Sequence, residues 1–351
     1  MFVVTFHGGG SGGTQTLVSY PDQGGTTGTA YLAQLTPKAP NGFRDVQFLP
    51  RQAGGNFYLV NSYKTASDIY QISPSAATAT RFVTGSGGGN GAVCSVYHPF
   101  GLAFDGGLDV LYISNQDSNV VVRVYGPNSA TTPGQPMPLN PALVSEFENG
   151  VFLPGTFVAS HNPLMPSDCS ATPTPVHSHQ GGLQMLPPHA PSNGTPTNSV
   201  RGVALLGSTL YVADEVASLI RQYDTTSGTY LGAVGGAGTS INSPLHLVAY
   251  GDLLYIGVEA ATSNSDALVV SYNPSTRALS TVVTQSKSDL PIKHPSGMTF
   301  DGQGNFYLAD LDNAVVYRFD SNFKLQPGAF ISNMLDQPEF ILWVDDQWLP
   351  T

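Results

Sequence analysis

Charged residues are scarce in this chain. Only 11% of its 351 residues are Asp, Glu, Lys or Arg, and 13 Lys and Arg against 24 Asp and Glu give a formal net charge of -11. Proteins that bind nucleic acid displace counterions from phosphates with clustered basic residues. The few Lys and Arg of this chain are scattered, so we expect no nucleic-acid partner and no attraction to anionic membrane surfaces.

Long apolar runs are also missing. No stretch approaches the roughly 20 apolar residues that a transmembrane helix needs, so no membrane insertion is predicted. Residues 1–6 are apolar, but the segment is short and has no basic flank, so we interpret it as a strand rather than a signal peptide. The 39 Gly and 27 Pro, by contrast, are typical of a protein built from strands and turns.

Cysteine is nearly absent. Cys94 and Cys169 both lie in Gly/Ser/Pro-rich sequence. A disulfide between them would require an oxidising compartment, and two reduced thiols are the alternative, because two residues do not fix a pairing. Asn193 begins the sequon Asn-Gly-Thr and is the glycosylation candidate. The sequon, the low Lys content and the Ser/Thr/Pro-rich loops favour a secreted, extracellular protein.

The chain does contain an internal repeat. A Gly-led apolar strand, a short turn, a strand of the form Tyr-apolar-x-Asp/Asn and a third strand ending in Arg-x-Tyr/Phe recur at residues 98–125, 201–223 and 294–319. Self-similarity at a period of about 40–50 residues indicates an array of equivalent units. Units of three or four short antiparallel strands predict an all-β fold, the β-propeller.

Five units can be aligned, and we number them blades 1–5. Their first strands, strands A, begin at Arg44, Phe100, Arg201, Leu245 and Ser296. Their second strands, strands B, lie at residues 57–61, 111–115, 210–214, 254–258 and 306–310.

The two ends of the chain supply one further unit. Residues 339–346 match a strand A alone, and residues 1–35 match the remaining strands of a blade. Joining the ends completes blade 6 and removes the free sheet edges of an open ring. Six blades are therefore predicted. Seven are the alternative, because the distance from Gly101 to Gly202 is about twice that between other units.

Residues 127–199 interrupt the repeat. They hold one predicted strand, at residues 155–160, and a tract rich in Pro, Ser, Thr and His. Prolines at this density cannot occupy central strands. We interpret the segment as a long insertion after the regular strands of blade 2, within a single propeller domain of residues 1–351.

The segments PFGLAFD, LYVADEVASLIRQYD and NFYLADLDNAVVYRFD resemble the NHL-repeat superfamily of six-bladed propellers. The resemblance covers five of the six units and implies the fold, but a fold does not imply a function. Members of that superfamily include binding scaffolds and extracellular recognition domains. They also include enzymes such as peptidylglycine amidating lyase and virginiamycin B lyase, which bind zinc through histidines at equivalent points of several repeats.

One strand-A position in each blade is predicted to face the channel axis. Strand-A starts and strand-B ends are antiparallel neighbours, so they meet at one mouth of the central channel. The axis position holds these residues in blades 1–6: Asp45, Gly101, Gly202, His246, Gly297 and Phe340. His246 and Asp45 are its ionisable members, and His246 is the one match to the histidines of the zinc lyases.

Further polar residues are predicted near the same mouth. His98 and His294 precede strand A on blades that we count as opposite, with turn or packing roles as the alternative. Strands B end in Asn61, Asn115, Asp214 and Asp310, and acidic residues follow at Asp117, Glu215, Glu259 and Asp312. Converging acidic, amide and imidazole groups are typical of a site for a cation or polar ligand. For the four strand-B ends, the alternative is a local bond to neighbouring backbone.

Two functions follow from these patterns. The first is a non-catalytic scaffold, without cofactor, that binds a protein or glycan partner or forms a homo-oligomer. The second is a metal-assisted lyase or hydrolase with zinc or calcium in the central channel, held in part by His246. Zinc sites need three or four ligands, and one repeat alone carries the histidine, so we favour the scaffold.

Overall fold

The structure is a computed structural model that describes residues 1–6, 17–30, 42–49, 55–63, 66–74, 79–85, 93, 95–116, 118–130, 132–137, 150–152, 155–159, 174–176, 184–185, 199–236, 238–259, 267–285, 292–334 and 336–349. These residues form 26 strands and one 3-10 helix (Asp346–Trp348). None of the described residues forms a helix of the length and apolar character that crosses a membrane.

The first fourteen strands are β1 (Phe2–Phe6), β2 (Val18–Tyr20), β3 (Thr29–Ala30), β4 (Phe43–Leu49), β5 (Asn56–Tyr63), β6 (Ala66–Ile72), β7 (Ala79–Thr84), β8 (Pro99–Asp105), β9 (Val110–Asn115), β10 (Val120–Tyr125), β11 (Gly150–Phe152), β12 (Thr156–Ala159), β13 (Thr174–Val176) and β14 (Gln184–Met185). The remaining twelve are β15 (Val200–Leu206), β16 (Thr209–Asp214), β17 (Leu219–Asp224), β18 (Tyr230–Gly235), β19 (Pro244–Tyr250), β20 (Leu253–Val258), β21 (Ala267–Asn273), β22 (Ala278–Thr284), β23 (Pro295–Phe300), β24 (Phe306–Asp310), β25 (Val315–Phe319) and β26 (Pro338–Trp343).

Six sheets form the blades. Blade 1 is β4-β5-β6-β7, blade 3 is β15-β16-β17-β18, blade 4 is β19-β20-β21-β22 and blade 5 is β23-β24-β25. Blade 2 is β8-β9-β10-β12 with β14 added outside, and β11 and β13 form a separate pair. The innermost strands contact one another in the cyclic order β26, β4, β8, β15, β19, β23. The predicted six-bladed, all-β propeller is therefore confirmed, and the seven-blade alternative is wrong.

Blade 6 joins the two ends of the chain, as predicted. Strand β26 is its innermost strand, in the order β26-β1-β2-β3. It pairs antiparallel with β1, placing Val4 opposite Ile341 and Thr5 opposite Phe340. The last strand of the chain thus closes the ring through ordinary sheet hydrogen bonds.

The described residues of the 127–199 segment add strands to blade 2 and form one separate strand pair, β11-β13. The strand expected at residues 155–160 is β12, and it pairs with β10 at the position of a fourth strand. Residues 132–137 also run along β10, where the Met137 amide donates to the Arg123 carbonyl at 3.2 Å. The interruption therefore begins between the third and fourth strands of blade 2, a correction to its expected position after the blade. Cys94, Cys169 and Asn193 lie outside the described residues.

The hydrophobic core is divided among the blade interfaces. Six clusters of buried apolar side chains occur, one between each pair of adjacent blades. Between blades 6 and 1, for example, Val3 and Phe340 pack with Phe43, Phe48 and Phe57. Each blade therefore buries both faces, which fixes its distance from its neighbours.

Glycine at the axis position allows the inner strands to approach closely. A Cβ atom on Gly297 would lie 2.5 Å from the Cα of Phe340, and one on Gly202 would lie 2.5 Å from the carbonyl oxygen of Leu245. Both contacts are with the backbone of the next blade, which cannot move aside as a side chain can. The recurrent glycine of the sequence repeat is thus explained by the packing of strands around the channel.

We predict that Gly297→Ala destabilises the protein by about 1–3 kcal/mol, the usual range for overpacking a dense core. Gly106→Ala is the matched control, because its added methyl would meet only the Phe104 ring at 3.6 Å. The control should change stability by less than about 0.5 kcal/mol. Urea unfolding of both variants makes the comparison. Equal unfolding free energies would mean that the inner strands relax around the new methyl group.

Candidate functional site

A cavity of about 450 Å³ opens at the end of the channel where strands A begin; we call it the mouth cavity. Its wall includes one residue from the start of strand A of every blade. We call these six residues the entry layer: Arg44, Phe100, Arg201, Leu245, Ser296 and Glu339. The residues of the predicted axis position lie one step further along each strand and form the axis layer. His246 is the axis-layer residue that lines the mouth cavity.

The outer wall of the mouth cavity comes largely from residues that follow strands B. It comprises Gln116, Glu215, Glu259, His294, Leu311, Asp312 and Gln337. Three of the four acidic residues expected at this mouth are therefore present in the wall. The fourth, Asp117, lies outside the described residues.

The two arginines of the entry layer are neutralised within the wall. The Arg44 guanidinium pairs with the Glu339 carboxylate of the adjacent blade, and the Arg201 guanidinium lies 2.5 Å from a Glu215 carboxylate oxygen. Both guanidinium groups also lie over the Phe100 ring, with Cζ 5.0 Å (Arg44) and 5.7 Å (Arg201) from its centroid. Paired, stacked arginines of this kind are held in one geometry.

His246 closes the channel beneath the mouth cavity. Its side chain is 3% exposed, and its ring centroid lies 5.2 Å from that of Phe100 and 5.5 Å from that of Phe340. The three rings come from blades 2, 4 and 6, which alternate around the axis, so we call them the aromatic plug. Among the described residues, neither ring nitrogen of His246 has a hydrogen-bond partner.

Burial keeps the His246 imidazole neutral. Its pKa is lowered to about 4, mainly because burial removes water from the ring; Glu339 opposes this shift, and Arg44 and His294 add to it. A neutral imidazole has one nitrogen that donates and one that accepts a hydrogen bond. The His246 imidazole that lines the mouth cavity therefore carries one donor and one acceptor.

Asp45 belongs to the axis layer of blade 1, opposite blade 4, and is not part of the mouth cavity wall. One carboxylate oxygen accepts a hydrogen bond from the Leu102 amide at 2.7 Å and the other accepts from the Gln47 side chain at 3.1 Å. Burial raises the pKa of Asp45, and these hydrogen bonds partly offset the increase. The resulting pKa is about 7. Its carboxylate thus binds the inner edge of blade 2.

Of the two histidines expected at the mouth, His98 and His294, only one is part of the cavity wall. His294 lines the mouth cavity. His98 lies behind it, where its ring contacts the Gln116 side chain at 3.1 Å and its backbone amide donates to the Ser67 hydroxyl at 2.9 Å. Gln116 rather than His98 therefore presents a polar group to the cavity from blade 2.

The four strand-B ends share one buried arrangement. Each side chain accepts a hydrogen bond from a backbone amide just before strand A of its own blade: Asn61 from Gly42 at 3.2 Å, Asn115 from Tyr97 at 3.0 Å, Asp214 from Ser199 at 3.0 Å and Asp310 from Lys293 at 3.0 Å. This is the local bond expected as the alternative to ligand binding. Ligand binding by these four residues stays a prediction.

No group of three or more His, Cys, Asp or Glu side chains that could hold a metal ion occurs within the described ranges. Zinc or calcium in the channel therefore stays a prediction, with His246 as its one candidate ligand named from the sequence.

The entry layer was the main feature that sequence reasoning missed. Arg44, Phe100 and Arg201 were recognised only as strand-A starts, and Glu339 only as part of the closing strand. The signal was available, since all six residues stand immediately before the axis position in the aligned repeat.

A second cavity, of about 590 Å³, lies at the other end of the channel, and we call it the far cavity. Strands A end there, and the wall includes Leu49, Phe104, Leu205, Ala249 and Phe340. The aromatic plug lies between the two cavities, because Phe100 and His246 line the mouth cavity and Phe340 lines the far cavity.

No protein-family model matches this chain, and no curated protein matches it. Among solved structures, the chain is similar to the computationally designed Ika8 protein, with 10% sequence identity and a TM-score of 0.45 over 98% of this chain and 92% of that chain. A likeness at this level carries no argument about function. The fold is shown by the six sheets themselves, and membership of the NHL-repeat superfamily stays a prediction.

The opposite pKa shifts of Asp45 and His246 predict opposite effects of pH on stability. The folded pKa of His246, about 4, is below its reference value of 6.5, so its stabilising contribution is present above about pH 6.5 and is lost as pH falls toward 4. The folded pKa of Asp45, about 7, is above its reference value of 3.8. Its contribution is therefore present below about pH 3.8 and is lost as pH rises toward 7.

Urea unfolding between pH 4 and 7 tests both shifts with Asp45→Asn and His246→Phe. The unfolding free energy of wild type minus that of His246→Phe should increase with pH. The same difference for Asp45→Asn should decrease. Parallel profiles for wild type and both variants would contradict the two shifts.

Proposed function

We propose that this chain is a binding protein, a six-bladed scaffold that holds a protein or glycan partner at the mouth cavity. The observation that carries the proposal is His246, a neutral imidazole almost fully buried at the cavity floor without a hydrogen-bond partner among the described residues. His246 also lines the mouth cavity, so its imidazole is placed where an entering group can reach it. A partner that bonds to this imidazole therefore gains a contact that the described residues leave open.

The surroundings of His246 support a binding role. The cavity volume of about 450 Å³ falls within the range of roughly 300–1000 Å³ that is common for ligand sites. Its entry layer comes from all six blades, and its arginines are already fixed by ion pairs and by Phe100. A preorganised site loses little conformational entropy when it binds.

Two expectations from the sequence agree with this proposal. The chain resembles the NHL-repeat superfamily, whose members include binding scaffolds and extracellular recognition domains. The composition of the chain favours secretion. The metal-assisted lyase or hydrolase depends on the same His246. It would be supported by stoichiometric zinc or calcium in the purified protein that is lost in His246→Phe.

We predict that His246→Phe weakens binding at the mouth cavity about tenfold, because the phenyl ring keeps the aromatic plug but removes both ring nitrogens. A panel of short peptides and oligosaccharides, measured by ligand-observed NMR and titration, supplies the probes. Asn128→Ala, in the wall of the far cavity, is the control and should leave affinities within about twofold of wild type.

Two results would contradict the proposal. One is that no member of the panel binds at millimolar concentration. The other is that binding is unchanged in His246→Phe and lost in Asn128→Ala, which would place it in the far cavity. Thermal unfolding of each variant confirms that losses of binding are not losses of fold.

A further inference from the structure

We infer that the group held in the mouth cavity is an organic cation, an alkylammonium or guanidinium of the kind that a Lys or Arg side chain presents. The inference rests on the proposed function and names the partner chemistry of the same site. It is carried by the distribution of charge in the cavity wall, which is independent of the observation on His246.

The wall of the mouth cavity has an excess of carboxylates. Four carboxylates, those of Glu215, Glu259, Asp312 and Glu339, face two guanidinium groups. Arg44 pairs with Glu339 and Arg201 with Glu215. The other two carboxylates, Glu259 and Asp312, have no hydrogen bond or ion pair from any described residue. We call this pair the acidic rim.

The acidic rim lies on one side of the mouth. Glu259 directly follows β20 in blade 4, and Asp312 lies in the turn between β24 and β25 in the adjacent blade 5. The paired arginines belong to blades 1 and 3. Lys293, which precedes His294 in the chain, is exposed and makes no ion pair with either carboxylate among the described residues.

An anionic ligand would meet the wrong charge in this cavity. Binding it at Arg44 or Arg201 would break an existing ion pair and leave a buried or partly buried carboxylate without its partner, which is costly. A cation meets two carboxylates that need no rearrangement. The net charge of -11 also attracts cations toward the molecule as a whole.

His246 supplies the second contact for such a group. Ammonium and guanidinium groups only donate hydrogen bonds, and a neutral imidazole has one nitrogen that accepts. The His246 side chain lines the same cavity as the acidic rim, and neither ring nitrogen has a partner among the described residues. A cation with several N–H groups can therefore donate to the rim and to the floor. The mouth cavity, at about 450 Å³, is large enough to admit one side chain or a compact amine.

The binding test uses matched cationic and neutral probes with full-length protein. Nα-acetyl-lysine methylamide and its Nε-acetylated form, and the arginine and citrulline equivalents, differ in charge at one position. We expect each neutral probe to bind at least tenfold more weakly than its cationic counterpart, with the cationic affinities falling as salt is added. Pentapeptides with one central Lys, and glucosamine compared with N-acetylglucosamine, distinguish a polypeptide source of the cation from an amino sugar.

The double variant Glu259→Gln/Asp312→Asn should lose about tenfold in affinity for the cationic probes and leave the neutral probes unchanged, because it removes two partly exposed ion pairs to the cation. The double variant Asp252→Asn/Asp346→Asn is the matched control. It changes the net charge equally at exposed positions outside the mouth cavity, and it should keep affinities within about twofold.

The outcomes separate this inference from the proposed function. If cationic and neutral probes bind equally well, or if the acidic-rim variant binds as wild type while His246→Phe does not, the mouth cavity is a binding site and the cation inference is wrong. If both double variants lose the same affinity for the cationic probes, the loss is an effect of net charge alone, and the inference is also wrong. If binding is insensitive to both His246→Phe and the acidic-rim variant, both proposals fail.

Discussion

The close approach of six inner strands around the channel axis is the constraint on which the rest of the structure depends. Each blade buries both faces against its neighbours, so the inner strands are pressed together where the wedge-shaped blades are narrowest. At Gly202 and Gly297 a Cβ atom would collide with the backbone of the next blade. An axis-layer residue with a side chain must place it in the channel or against the inner edge of a neighbouring strand.

The candidate site follows from the three positions where the axis layer is not glycine. Asp45 binds the inner edge of blade 2 through the Leu102 amide. His246 and Phe340 extend into the channel and meet Phe100 of the entry layer, which closes the channel and gives the mouth cavity its floor. The regular repeat therefore builds the ring, and the departures from it produce the one cavity with an unpaired imidazole at its floor within the described part of the chain.

The fold was predictable because its determinants are local. Strands B end at Asn115, Asp214 and Asp310, as the Tyr-apolar-x-Asp/Asn pattern indicated. The closure was predicted because the C-terminal end supplies a lone strand A and the N-terminal end supplies a blade that lacks one. The site was only partly predictable. His246 and the acidic residues after strands B could be named from the alignment, but the pairing of Arg44 with Glu339 joins residues 295 positions apart and depends on the closed ring. The pairing of β12 with β10 was missed for a different reason: the residues that connect these strands interrupt the repeat.

Ionisable side chains are accommodated differently in the axis layer, in the entry layer and at the acidic rim. In the axis layer, burial moves the pKa of His246 down and that of Asp45 up, so both groups are shifted toward their neutral forms. In the entry layer, each arginine is paired with a carboxylate, Arg44 with Glu339 and Arg201 with Glu215. At the acidic rim, where water reaches Glu259 and Asp312, carboxylates stand without partners among the described residues. A cation that enters the mouth cavity therefore meets its counter-charge first, while it is still partly hydrated. The acceptor nitrogen of His246 then replaces water that the cation loses deeper in the cavity.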